Sequence, residues 1–317
     1  MRIRFGYVSH ALTLWEARPA KTLTFKRYSN MTKQERIDKL HEVTRANLYN
    51  TKRALWLNRA AEIPLYRFSS SIVPLATHPE VEWDYLTPFR EEWQELGEIV
   101  RDAGLRTSFH PGQFTLFTSD KEHVIENSIR DMEFHYKMLE AMGLEKEGYI
   151  NIHIGGAYGD KSLALERFKK NIQRIPDEVR SQMTIENDDK TYTGEETLEV
   201  AELADIPVMF DYHHEMANLS SVSYEHLLER FFATWNRTGW PPKVHLSSPK
   251  NEKQYRSHAD FVELEFALPF LKACREVTDE LDVMIEAKEK DRALMKFVDE
   301  LAAVRGVKRL AGGIVEF

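Results

Sequence analysis

Six short apolar segments of the sequence end in a histidine or a carboxylate. They read TSFHPGQF, NIHIGGAYG, TIENDD, VMFDYHH, KVHLSS and VMIEAK, and the residues concerned are His110, His153, Glu186, Asp211, His245 and Glu286. One such histidine alone is more often a hydrogen-bonded structural residue than a ligand. Six in equivalent positions are what a ring of imidazole and carboxylate ligands around divalent metal ions requires. The segments therefore predict metal binding.

Two further histidines extend this set. His214 lies three residues after Asp211, and His258 lies in the loop that follows the fifth of these segments. His213 alternates with His214, which leaves a supporting role beside the ligands and a purely structural role both open. Eight ligands exceed what one ion can use and indicate two or three ions, with Glu186 as the bridging carboxylate. A set without thiolate favours Mn²⁺ or Zn²⁺ and does not decide between them; Mn²⁺ is our expectation.

These segments are rich in Val, Ile, Phe and Tyr and alternate with stretches of helical periodicity, which predicts βα units and a parallel sheet. Eight strands are predicted, at Ile3–Val8, Leu65–Ser69, Arg106–His110, Tyr149–Ile154, Met183–Asn187, Pro207–Asp211, Lys243–Ser247 and Asp282–Ala287. A capping box, Thr32 with Glu35 three residues later, begins the long helix between the first two strands. Eight units favour one closed (β/α)₈ TIM barrel over residues 1–317, with an open doubly wound sheet as the alternative. The carboxyl ends of barrel strands form the active site in such proteins.

The composition narrows the class of protein further. Of 317 residues, 42% are hydrophobic and 30% charged, and Cys274 is the single cysteine, which excludes a disulfide framework within the chain. No long apolar segment or signal peptide is present, so we expect a soluble, cytoplasmic protein with no membrane contact. The net charge of −8 argues against a generally basic nucleic-acid protein, yet residues 1–60 carry 13 Lys and Arg against 4 Asp and Glu. This region could face a polyanion. No apolar stripe indicates an interface, so a monomer is expected.

Taken together, motifs along nearly the whole chain resemble the UV damage endonuclease family, a relative of the endonuclease IV barrels. The motifs are GYVSHALTL, RFSSSIVPLATHP, SFHPGQF, HIGGAYGDK, IENDD, Asp211-x-x-His214, PKVHLSS, RSHADFV and VMIEAK. The resemblance implies a DNA repair enzyme that hydrolyses the backbone immediately 5′ to cyclobutane dimers and 6-4 photoproducts and leaves a 3′-hydroxyl. Damaged double-stranded DNA would be its partner, with no obligate protein partner.

The resemblance also divides the ligands among three ions. One ion would be held by His110, His153 and Glu186, a second by Glu186, Asp211, His245 and Glu286, and a third by His214 and His258. Lys243, two residues before His245, matches a family lysine that approaches the metals and can be carbamylated. We therefore expect Glu186, Lys243 and Glu286 to be the catalytic residues.

Contacts with the lesion are implied in the same way. Gln113 and Phe114 match a pair that fills the gap opposite the lesion, although some members have a tyrosine where this chain has Phe114. Phenylalanine keeps the aromatic face that can stack on a base, but it lacks the tyrosine hydroxyl. Alternatively, Phe114 is only an aromatic residue in a turn that covers the end of the barrel.

Two more positions are expected to contact DNA. Tyr7 matches a tyrosine of the family's lesion pocket, but the asparagine expected near Ala11 is missing, and His10 is the candidate replacement. Tyr158 lies in a Gly-rich loop after the fourth strand, where backbone amides could approach a phosphate or simply form a turn.

Other functions fit part of the pattern. A sugar isomerase or epimerase on the same barrel would also use the Glu, Asp, His, Glu quartet, but the additional histidines and Gln113-Phe114 would have no task on a free sugar. An apurinic-site endonuclease would share the metals and differ in its pocket. A non-catalytic metal scaffold would not need an open cluster of several ions.

Overall fold

The computed structural model describes all 317 residues and forms a closed barrel of eight parallel strands, which confirms the predicted single (β/α)₈ architecture. The strands are β1 (Arg2–Val8), β2 (Leu65–Arg67), β3 (Arg106–Phe109), β4 (Tyr149–His153), β5 (Met183–Glu186), β6 (Val208–Asp211), β7 (Lys243–Leu246) and β8 (Glu280–Ile285). Each strand pairs with the next, and β1 pairs with both β8 and β2 to close the ring. Most observed strands end one or two residues before the predicted ends, so several polar side chains belong to the loops at the barrel mouth.

Helices surround the barrel and connect its strands. They are α1 (Phe25–Ser29), α2 (Lys33–Ala60), α3 (Arg90–Asp102), α4 (Glu122–Met142), α5 (Lys161–Ile172), α6 (Asp177–Arg180), α7 (Gly194–Ala204), α8 (Tyr212–Ala217), α9 (Leu228–Ala233), α10 (Leu264–Arg275) and α11 (Lys290–Ala302). The capping box of α2 is present, since the Thr32 amide donates to the Glu35 carboxylate over 2.8 Å. Packing of the apolar helix faces on the barrel forms one core of 67 buried residues.

Helix α2 ties two loops of the barrel mouth together. Its buried Asn47 side chain accepts a hydrogen bond from the Lys21 amide and donates to the Ile72 carbonyl, over 2.8 and 2.9 Å. Lys21 follows β1 and Ile72 follows β2. A polar residue buried in a helix is stable when its hydrogen bonds are satisfied, and here they fix the mouth on the β1 and β2 side.

A C-terminal hairpin was not predicted. Strand β9 (Lys308–Ala311) pairs with β10 (Ile314–Glu316), and β10 lies antiparallel to Arg2–Arg4 of β1. Within β1, only Gly6–Val8 pair with β2, so the start of β1 has a free edge for the hairpin. The approach of β1 to β2 requires glycine at position 6, because a Cβ there would lie 2.4 Å from the Cβ of Leu65.

The lower end of the barrel contains a group of charged residues that we name the lower layer: Arg4, Arg106 and Asp282. Asp282 is fully buried and forms ion pairs of 2.6 Å with both arginines. The guanidinium of Arg106 also lies 4.8 Å from the ring centroid of Trp235. Both oxygens of Asp282 are therefore paired, whereas Nε and Nη2 of Arg106 make no hydrogen bond.

Candidate metal centre

The carboxyl ends of β3 to β8 bring the six predicted ligands together, as a barrel requires. Strand register places His153 beside Glu186 and Asp211 beside His245. Alternation along each strand turns residues two apart toward the same side. We name the resulting group the upper layer: His110, His153, Glu186, Asp211, His245 and Glu286, joined by His214.

Ligand atoms within this layer form three groups in which all members lie within 4.8 Å of one another. The groups are His110, His153 and Glu186; Glu186, Asp211 and His214; and Asp211, His245 and Glu286. The first is the set expected for one ion, and Glu186 is shared between two groups, as expected for a bridge. His214 joins Glu186 and Asp211, and its ring centroid lies 6.0 Å from that of His258, with which it was expected to hold a third ion. His258 is in none of the groups, and its Nδ1 lies 2.7 Å from the backbone oxygen of Glu286.

The residues of the upper layer fit divalent cations because their polar atoms lack partners. Buried atoms without a hydrogen bond are Nδ1 of His153, Oε1 of Glu186, Oδ2 of Asp211 and both ring nitrogens of His245. Buried polar atoms are normally satisfied, and leaving them bare destabilises a fold. Nitrogen and carboxylate oxygen are the donor types that Mn²⁺ and Zn²⁺ accept. The arrangement can therefore hold several ions without rearranging the strands.

The charge states of the layer follow from its burial and its contacts. Burial raises the pKa of Glu186, but the charges of His245 and His153 and a contact from His110 outweigh it and hold the pKa well below its usual range. Burial opposes the charge of His214, yet the carboxylates of Asp211 and Glu186 raise its pKa well above the ordinary value. A metal ion that binds a ring nitrogen of His214 must displace its proton, so metal binding should strengthen as pH rises.

Lys243 lies directly beneath the upper layer. Its Nζ is buried and donates to the Ser108 hydroxyl over 2.9 Å. Burial and the nearby Arg106 charge lower the pKa of Lys243 well below the usual lysine value. The structure thus places a buried amine with a lowered pKa between the two polar layers, two residues from His245.

Two residues of the site were missed by sequence reasoning. Arg67, at the end of β2, forms an ion pair with Glu286. Asn151 donates its amide to Oε2 of Glu186 and accepts from the Thr184 hydroxyl over 2.8 Å. Asn151 precedes His153 by two residues and so shares its side of β4, a signal that was present in the sequence.

The open role of His213 is also clarified by its contacts. The residue is fully buried, with Nδ1 2.8 Å from the Ser247 hydroxyl and Nε2 2.6 Å from the Tyr255 carbonyl oxygen. Both ring nitrogens are occupied by these contacts, which supports a structural role in holding the loop after β7.

The predicted DNA-contacting residues lie in different settings. Phe114 is 78% exposed on the loop after β3, and Gln113 beside it lines a cavity of about 390 Å³ that reaches His110, His153 and His214. Tyr158 is also exposed, and its ring lies beside Gly156, which lines the same cavity.

Tyr7 does not lie with these residues. It is fully buried, and its ring packs edge-on against Tyr66. Phe5, two residues earlier on the same side of β1, contacts Phe297 of α11, so Tyr7 faces the helices and not the barrel interior. Its position does not support the expected lesion contact.

No helix in the structure combines the length and apolarity needed to cross a bilayer. A closed (β/α)₈ barrel with a histidine and carboxylate cluster at its mouth defines the class: a TIM-barrel protein with a candidate centre for several metal ions.

Comparison with known proteins identifies the family within this class. The model of the family described as UV-endonuclease UvdE matches residues 3–317, and the chain belongs to this family. It is 58% identical over 318 residues to the UV DNA damage endonuclease of Bacillus pumilus (strain SAFR-032), covering 100% of this chain and 99% of the relative. The crystal structure of SacUVDE superposes with a TM-score of 0.84 at 29% identity, covering 94% of this chain and 98% of that one. Endonuclease IV from Thermus thermophilus shares the fold, with a TM-score of 0.56 at 17% identity over 80% and 95% of the two chains.

Proposed function

We propose that this protein is a metal-dependent DNA repair endonuclease that cuts the backbone of double-stranded DNA immediately 5′ to UV photoproducts and leaves a 3′-hydroxyl. The observation that carries the proposal is the upper layer: unpartnered metal-type ligands at the mouth of a barrel that belongs to the UvdE family. The cyclobutane dimer and the 6-4 photoproduct are the lesions we expect it to act on.

The residues of the upper layer would hold two or three divalent ions, for which we expect Mn²⁺ with Zn²⁺ as the alternative. When bound, such ions neutralise charge on phosphoryl oxygens and lower the pKa of water, which is the chemistry that phosphodiester hydrolysis needs. Glu186 belongs to two ligand groups and would be the carboxylate shared between two ions. Asp211 is shared in the same way, a feature that the sequence pattern alone did not indicate. We assign catalysis to Glu186, Glu286 and Lys243.

Lys243 is included because of its place and its charge state. Its amine is buried beneath the ligands and its pKa is lowered, first by burial. A neutral amine is the form that can react with carbon dioxide, and a carbamate would add an anionic group beside His245. An unmodified amine would instead remain bound to the Ser108 hydroxyl.

The exposed loop after β3 would recognise distorted DNA. Phe114 has no hydroxyl to donate, so its contribution is the stacking face of the ring, which can fill the space left when bases leave the helix. A damaged base pair opens more easily than an intact one, which gives selectivity to a probe of this kind. Gln113 beside it can donate and accept hydrogen bonds at the edges of the opposite bases.

The test is incision of a duplex that contains one thymine dimer, with undamaged and abasic duplexes as controls and the protein loaded with Mn²⁺. We expect a single cut 5′ to the dimer, ending in a 3′-hydroxyl, and no cut in undamaged DNA. Failure to cut the dimer duplex with any divalent ion would overturn the proposal. Cutting only at the abasic site would reassign the enzyme to apurinic sites, and turnover of a ketose would favour a sugar epimerase.

A further inference from the structure

Positively charged side chains gather on one side of the barrel mouth, where β8, β1 and β2 end. Strand register places Val8 beside Arg67, and Tyr7 beside Ile285, the residue before Glu286. The loop that follows β1 carries His10 and Arg18, and Lys290 is the first residue of α11, directly after the loop from β8. We name Arg67, Arg18 and Lys290 the cationic wall; His10 lies among them. It adjoins the upper layer through the ion pair of Arg67 with Glu286.

The cationic wall faces one carboxylate, that of Glu286. Arg67 forms an ion pair with it, and the charge of Glu286 also acts on Lys290, but neither Lys290 nor Arg18 forms an ion pair. By contrast, Arg292 in the following turn pairs with Glu289. Burial, together with the charges of Arg18 and Lys290, lowers the pKa of His10 to about 4, and burial with the charge of Arg67 lowers the pKa of Lys290. The groups of the wall therefore oppose one another's charge.

The backbone that presents Lys290 is both strained and firmly held. Lys290 has φ of +50°, a left-handed conformation that disfavours a side chain by about 1–2 kcal/mol. The next residue, Asp291, is buried and accepts hydrogen bonds from the amides of Leu12 and Thr13 over 2.6 and 3.1 Å. These bonds hold the start of α11 against the loop after β1. A strained residue held in this way next to a site motivates a hypothesis of function.

We propose that the cationic wall binds a backbone phosphate next to the one that is cut, with Lys290 as its main contact. The inference rests on the proposed function, because it assigns the partner of this wall as DNA. A phosphodiester supplies the missing negative charge, and it suits the compact charge of a lysine beside the fork of an arginine. Binding at this position would hold the strand in register with the upper layer without reading any base.

The first test compares Lys290→Gln with the wild type in the Mn²⁺-loaded protein. Glutamine keeps a long side chain and the left-handed strain while removing the charge. We expect KM for the dimer duplex to rise about tenfold with kcat within about twofold, and the slope of log affinity against log salt to fall by about one. Lys290→Arg should keep both quantities. Lys288→Gln is the matched control, since Lys288 is an exposed lysine of the adjoining loop, and it should match the wild type.

The second test replaces single phosphates around the cut with neutral methylphosphonates. Wild-type affinity should fall about tenfold at one position next to the cut, and Lys290→Gln should show no further loss at that position while still losing affinity elsewhere. Unchanged affinity of Lys290→Gln, or losses that add at every position, would overturn the inference.

Affinity measured by fluorescence anisotropy does not depend on incision. A wild type that binds DNA through Lys290 but does not cut the dimer duplex would remove the proposed function and keep the phosphate site. If the wild type cuts the dimer duplex and Lys290→Gln binds and cuts it equally well, the phosphate site is ruled out and the proposed function is kept.

Discussion

Two buried polar layers lie inside the same barrel, and they differ in the kind of atom that is left without a partner. In the lower layer, both oxygens of Asp282 are bound by Arg4 and Arg106, and the bare atoms are Nε and Nη2 of Arg106, N–H donors that cannot bind a cation. In the upper layer, the bare atoms of four residues are imidazole nitrogens and carboxylate oxygens, which can bind one. Buried atoms of this kind destabilise the fold unless something else completes them. The difference separates a structural cluster from a binding site without reference to sequence motifs.

The upper layer is tested most severely by Glu186→Gln. The change keeps the shape and removes the charge that two ligand groups share, so metal binding should fail and incision should drop on the order of a thousandfold or more. The fold should be kept, because glutamine retains the shape of the side chain and its amide oxygen can accept the hydrogen bond from Asn151. Incision rate, bound metal by mass spectrometry and circular dichroism measure the three effects. Full nicking by this variant would show that the bridging assignment is wrong.

The lower layer should respond in the opposite way to Asp282→Ala. Two arginines lose their buried carboxylate, and breaking a buried ion pair from one side costs about 3–5 kcal/mol. Denaturant unfolding should show this loss, while the folded fraction should still bind its full complement of Mn²⁺. Glu280→Ala, an exposed carboxylate on the same strand, should change stability by less than about 0.5 kcal/mol. Loss of metal without loss of stability would break the distinction between the layers.

The fold was predictable because barrel strands buried on both faces appear in the sequence as short apolar runs. The helices between them were recognisable from the helical spacing of their apolar residues. The C-terminal hairpin was missed for a physical reason. Lys308–Ala311 is short and charged, and β10 pairs with the first residues of the chain, a contact that no local pattern encodes.

The convergence of the candidate ligands was predictable from their places at strand ends, but of their groups only His110, His153 and Glu186 match the expectation in full. Distances between His214, His258 and Glu286 depend on loop paths, which the spacing of residues does not fix. The orientation of Tyr7 could have been predicted, because side chains alternate along β1. Tyr7 therefore lies on the same side as Phe5 and opposite to Gly6. The ion pair of Arg67 with Glu286 joins residues 219 positions apart, and no local sequence pattern indicates it.

A smaller effect is expected from Asn151→Ala, which tests how the upper layer is positioned. Asn151 holds one oxygen of Glu186 and is itself held by Thr184. Removing a residue that orients a ligand lowers metal affinity about ten- to a hundredfold. Titration against a chelator measures the affinity. Thr184→Val should reproduce part of the loss, and an unchanged affinity in both variants would mean that the amide only fills space.

The smallest effect is expected from Phe114→Ala, which touches neither layer. The ring is 78% exposed, so its loss should leave stability and metal content as they are. Stacking on a base contributes about 1–3 kcal/mol, so cutting of the dimer duplex should fall roughly tenfold, and Phe114→Tyr should restore it. Metal content and incision should be assayed in parallel to separate DNA recognition from support of the metal centre. An equal fall in both would mean that the loop supports the upper layer instead of probing DNA. A fall in incision alone would place damage recognition outside both layers, on a loop that neither of them needs.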